Sequence, residues 1–208
     1  MRKGERTLSH ANAAAAHADA HRTSTGLSHN KLLMWTFLAS DCMFFGSLIM
    51  TYMVYRGRSL NGPYPDDVFN IPFTSVSAAV LLLSSLTMVL ALSALQRGKI
   101  KVFRVWILAT ALLGLLFLGG QYYEFTEFSH LGLGLGTNVF GSSFFVLTGI
   151  HGTHVGLGII WLLTLFAFSF RGLVRQDNAE KVEIAGLYWH FVDIVWIVIF
   201  TFVYLLPY

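Results

Sequence analysis

Tyr188-Trp189-His190-Phe191-Val192-Asp193 lies inside residues 183–207, a segment that is otherwise almost wholly apolar and long enough to cross a bilayer. On a helix, the i, i+3 spacing puts His190 and Asp193 on one face. An ionisable side chain at membrane depth is costly, so that face must meet protein, water or a partner charge rather than lipid. The hexapeptide therefore marks both the class of the chain and a place where its function needs polar surface.

Composition agrees. Of 208 residues, 55% are hydrophobic and only 12% charged, which excludes an ordinary soluble domain. The net charge of +3 is too small to argue for nucleic acid as a partner. Cys42 is the sole cysteine, so neither an intrachain disulfide nor a cysteine-based metal site can form. The first thirty residues differ from the rest: they are rich in Ala, His and Ser, and their longest apolar run is too short for a signal-peptide core. They read as a flexible N-terminal tail, 1–30, preceding a membrane domain, 31–208. His10, His17, His21 and His29 are irregularly spaced and fit a solvated tail better than a metal site.

Five apolar segments follow, at 32–55, 73–96, 105–128, 138–170 and 183–207, predicting an all-α integral membrane protein built as a five-transmembrane-helix bundle. Gly62-Pro63-Tyr64-Pro65 interrupts the first loop, where a helix cannot continue. The fourth segment, about 50 Å by helical rise, must tilt or project beyond the hydrocarbon. Twelve of the 14 Lys and Arg fall in the N-terminal stretch through Lys31 and in the second and fourth loops, and the other two in the first loop. That bias puts the N-terminus in the cytoplasm and the C-terminus outside. Thr148, Gly152 and Gly156 recur every four residues and permit close helix approach.

The intramembrane polar groups are few. Asp41 and Asp193 each lie roughly 15 Å from the cytoplasmic end of their segments, and so share a level. Glu124 sits near the outer end of the third segment. His151 and His154, again i, i+3, fall near mid-membrane, where His154 is expected to reach Asp193. These histidines and Asp193 read first as structural polar pairs. A metal centre would want several carboxylates at one level, which Glu124 does not provide. A proton relay through Asp41, His154 and Asp193 would suit a small transporter, but no internal repeat supports one. No residue is assigned as a metal ligand or as catalytic.

Two motifs carry a resemblance. Phe140-Gly141-Ser142-Ser143-Phe144-Phe145 through Gly149-Ile150-His151-Gly152-Thr153-His154-Val155, together with Tyr188-Trp189-His190-Phe191-Val192-Asp193-Ile194-Val195-Trp196, resembles subunit III of haem–copper terminal oxidases. Tyr122-Tyr123-Glu124 and the acid after Ser40 match as well, and the likeness runs from Lys31 to the end, in the five-helix bacterial form. The resemblance implies a non-redox accessory subunit of a proton-pumping oxidase in the bacterial cell membrane, serving aerobic respiration and the reduction of oxygen to water. Haem and copper would reside in partner subunits, with none in this chain. The chain would pack directly on subunit I, belong to a complex with subunit II, and hold phospholipid in a cleft that supports oxygen access and proton uptake. By the same likeness, Asp41 matches an acid facing that cleft, usually Glu, so its carboxyl sits about one methylene further back. Arg171 matches an arginine that contacts a lipid phosphate. Glu124 is a further candidate for the cleft or for proton-related work. Cytochrome c oxidase is the first reading and quinol oxidase the alternative, since the electron donor docks elsewhere.

Overall fold

The computed structural model describes residues 28–56 and 71–206. The tail through residue 27 and the loop with Gly62-Pro63-Tyr64-Pro65 lie outside the described residues. Every long element is helical: α1 His29–Tyr55, α2 Ile71–Gln96, α3 Ile100–His130, α4 Val139–Phe170 and α5 Ala179–Phe200, the last running into a π-helical turn, Thr201–Leu205. All five helices are long and apolar enough to cross a membrane. Their outward side chains confirm the solvent: Met43, Val76, Leu116 and Ile160 are 63–82% exposed, which suits hydrocarbon and not water.

The chain divides into two compact units, residues 1–40 and 41–208. In the first, Ser28 starts α1, its Oγ accepting from the Lys31 amide and its carbonyl from Leu32. The second holds the remaining turns of α1 and a four-helix ring in which α2 packs on α3, α3 on α4, α4 on α5, and α5 back on α2.

Helix ends differ from the apolar segments in an instructive way. α3 begins at Ile100, not 105, and α5 at Ala179, not Glu183. Hydropathy registers only the part inside hydrocarbon, whereas backbone hydrogen bonding carries the helix into the polar boundary. The basic stretch 97–104 is consequently a tight turn followed by helix. Gly98, at φ +71°, closes α2 with paired bonds, its own amide to Leu95 and that of Lys99 to Ala94. Gly132 and Gly172 end α3 and α4 by the same motif. At the other end of α4, the Asn138 side chain caps by accepting from the Gly141 amide at 2.6 Å.

The ring closes on Trp189. Its indole N–H donates to Ser84 Oγ of α2 at 2.9 Å, and its ring lies against Gly114 of α3 and Gly158 of α4. A β-carbon at Gly114 would stand 2.6 Å from the ring, and one at Gly158 2.9 Å, so neither position has room for alanine. Gly119, on the same helix as Gly114, has no neighbour within 4 Å. Gly114→Ala is expected to destabilise the full chain in detergent by about 1–3 kcal/mol through overpacking, with Gly119→Ala neutral or slightly stabilising. Thermal unfolding of the two variants side by side checks this; equal melting temperatures would refute the role given to Trp189.

Candidate functional site

Two polar clusters sit at membrane depth in the second unit. The first joins α1 to α4. His154 Nδ1 is 2.9 Å from the Ile150 carbonyl, which can only accept, so we assign the ring proton to Nδ1. Its Nε2 then points at Asp41 Oδ2, 3.6 Å away. That separation is within ion-pair range but beyond hydrogen-bond length, and Asp41 Oδ2 makes no hydrogen bond. The pair is walled by Phe45, whose ring lies 5.1 Å from His154, and supported from α5 by Tyr188, whose hydroxyl donates to the His154 carbonyl at 3.0 Å. Both side chains retain some exposure, 18% for His154 and 13% for Asp41.

The second cluster joins α2 to α5. Ser85 Oγ lies 2.5 Å from His190 Nδ1. Ser85 is also the hydroxyl that faces the Asp193 carboxyl, although neither of that carboxyl's enclosed oxygens makes a hydrogen bond of ordinary geometry. One hydroxyl carries one proton, so Ser85 can donate to only one of these two neighbours. His190 and Asp193 do share a face, as their spacing requires. The expected contact between His154 and Asp193 does not form: His154 turns to Asp41, and Asp193 turns to Ser85 on a different helix. Azimuth around the helix, which spacing along a segment does not give, selects the partner.

His151 takes a third environment. It is fully buried, its Nε2–H donating to the Val192 carbonyl at 3.2 Å, with its ring 4.9 Å from Trp196 and 6.0 Å from Phe117. Glu124 is buried on the α3 face toward α2, where it accepts from the Thr74 hydroxyl. Arg171 is exposed at the C-cap of α4. Among the described residues no three His, Cys, Asp or Glu side chains converge as a metal site would require.

Sequence reasoning passed over Thr74, Ser85 and Gln121, the partners rather than the ionisable groups. Gln121 donates to the Thr148 carbonyl at 2.9 Å, in space that Gly152 leaves open. The available signal was hydroxyl and amide side chains spaced along helices that have no need of water-facing polarity.

The comparisons with known proteins match this geometry in extent. The family model for cytochrome c oxidase subunit III matches residues 9–208. The chain belongs to that family. Relatives of similar length accompany the match. Quinol oxidase subunit 3 of Bacillus spizizenii is 42% identical over 178 residues, covering 85% of this chain and 87% of the relative. Cytochrome c oxidase subunit 3 of Bacillus sp. strain PS3 is 39% identical over 186 residues, covering 89% and 90%. Cytochrome bo(3) ubiquinol oxidase subunit 3 of Pseudomonas aeruginosa is 40% identical over 173 residues, covering 83% and 82%. Subunit III is thus a multi-pass bacterial membrane protein and part of a haem–copper oxidase complex, with the other oxidase subunits as its partners.

Within subunit III the buried carboxyl of Glu124 offers a direct test of the polar bonding. Thr74→Val keeps the shape and removes the donor, and is expected to cost about 1–3 kcal/mol, while Thr74→Ser retains most of the stability. Thermal unfolding of the two variants decides it; identical losses would show that the hydroxyl is immaterial.

Proposed function

We propose that this chain is a non-redox accessory subunit that packs on subunit I and holds phospholipid beside a proton-exchanging acid, supporting oxygen access and proton uptake by the core. Haem and copper belong to the partner subunits in this reading. The observation that carries it is the pair Asp41–His154, which is part-exposed, walled by Phe45 and brings a carboxyl oxygen to 3.6 Å from an imidazole nitrogen. An acid facing an imidazole at membrane depth is the kind of side-chain pair that serves proton transfer. His151 supports the same view, being enclosed by Trp196 and Phe117 with one nitrogen committed to a backbone carbonyl. Glu124, bonded to Thr74 on another helix pair, is assigned to structure.

The N-terminus is assigned to the cytoplasm and Tyr208 to the outer face, from the bias of Lys and Arg. Arg171, exposed where α4 ends, is assigned to a lipid phosphate at the headgroup boundary. For the electron donor, cytochrome c oxidase is the first reading. Quinol oxidase is the second, favoured by the relatives of that name at comparable identity.

Asp41→Asn is expected to leave the haem absorption bands of the purified oxidase unchanged while slowing turnover-coupled proton uptake severalfold. A displaced haem spectrum in otherwise intact enzyme would overturn the non-redox assignment, and wild-type proton uptake would overturn the role of Asp41. Arg171→Ala is expected to lower the phospholipid retained by the complex, counted by mass spectrometry; full retention would remove that assignment. Oxygen consumption by the complex with reduced cytochrome c, against the same assay with a quinol, distinguishes the two donor readings.

A further inference from the structure

We propose that the cleft between the α2–α3 turn and the α4–α5 connection is a binding site for a phosphate group, carried by an anionic lipid headgroup or free in solution. Arg171 does not line this cleft, and the inference does not depend on the role given to Asp41. The cleft encloses about 370 Å³ at the basic end of the ring, where Arg104 of α3 and Arg175 of the α4–α5 connection both line it.

The two guanidiniums are held differently. Arg104 donates through Nε to Ser169 Oγ at 3.0 Å and through Nη2 to the Ser169 carbonyl at 2.7 Å, and its guanidinium carbon lies 4.2 Å from the centre of the Phe170 ring. These contacts fix the plane of the group and leave the rest of its five donors unengaged. Arg175 donates through Nε to the Gly172 carbonyl at 3.0 Å, which leaves both terminal nitrogens open on an exposed side chain. Among the described residues neither guanidinium has a carboxylate in ion-pair range. Gln176 borders the same space with its amide nitrogen anchored on the Gln96 carbonyl at 2.8 Å.

Two guanidiniums with spare forked donors and, among the described residues, no carboxylate in ion-pair range describe a receptor for a tetrahedral oxyanion. The remaining wall is apolar, made by Phe170 and Val174, and no further acid lines the cleft. That combination favours phosphate over a carboxylate from a neighbouring protein, which would bring only two oxygens to a site that can serve more. The backbone helps, because Gly98 in its left-handed conformation turns the chain tightly and leaves the entrance without a side chain.

The test uses the purified oxidase complex, delipidated in detergent, with the wild type beside Arg175→Gln and Lys101→Gln. Arg175 is chosen because its exposure keeps the fold intact, which thermal unfolding confirms, and Lys101 is an exposed charge outside the cleft. Dioleoylphosphatidylglycerol and inorganic phosphate are titrated separately, with bound lipid counted by native mass spectrometry and bound phosphate by equilibrium dialysis. Arg175→Gln is expected to weaken binding about tenfold or more, with Lys101→Gln unchanged. A loss seen only with the phosphatidylglycerol identifies the lipid source, and a loss seen with inorganic phosphate identifies the free anion. Equal affinity in wild type and Arg175→Gln overturns the site, as does an equal loss in Lys101→Gln, which would mean diffuse charge attraction.

Discussion

One indole holds four helices in register. Within a bilayer, helices gain nothing by hiding apolar surface from each other, so close van der Waals packing and a few hydrogen bonds must supply the association. Trp189 does both: it fills the space between α3 and α4 where Gly114 and Gly158 lack side chains, and its N–H ties α5 to α2 through Ser84. A large rigid ring against bare backbone gives many contacts at little cost in conformational entropy. Everything positioned by α5, including His190, Asp193 and the support that Tyr188 gives His154, follows from that placement.

Polar contacts then stitch each neighbouring pair once or twice. Thr87 and Thr110 share a hydrogen bond at 2.8 Å, and Thr74 bonds Glu124, both between α2 and α3. Gln121 joins α3 to the Thr148 carbonyl of α4, and His151 joins α4 to the Val192 carbonyl of α5. Ser84 and Ser85 complete the circuit from α2 to α5. These bonds join the ring helices, although both Asp193 carboxyl oxygens stay without one, while Asp41 on α1 is a part-exposed acid that faces His154. Structural bonding is thereby separated from the group assigned to proton traffic.

The basic end of the ring works by another logic. Helices α2 and α4 finish in left-handed glycines, and Arg104 and Arg175 line one cleft beside those turns. The phosphate site proposed there is distinct from the acids of the membrane-spanning segments.

Residue order alone determined the class of the protein, its five spans, the family, and the short list of ionisable groups at membrane depth. Those features are local: hydropathy over twenty residues decides insertion, and motifs such as the one ending at Asp193 read without knowledge of neighbours. Tertiary structure decided who meets whom. His154 was expected to reach Asp193, yet it faces Asp41 instead, while Asp193 lies toward Ser85. The same holds for Gly114 and Gly158, whose spacing permits close approach to many surfaces and whose actual occupant is a tryptophan from a third helix. Depth is a property of one segment and can be counted along it, whereas facing depends on the rotation and packing of all five.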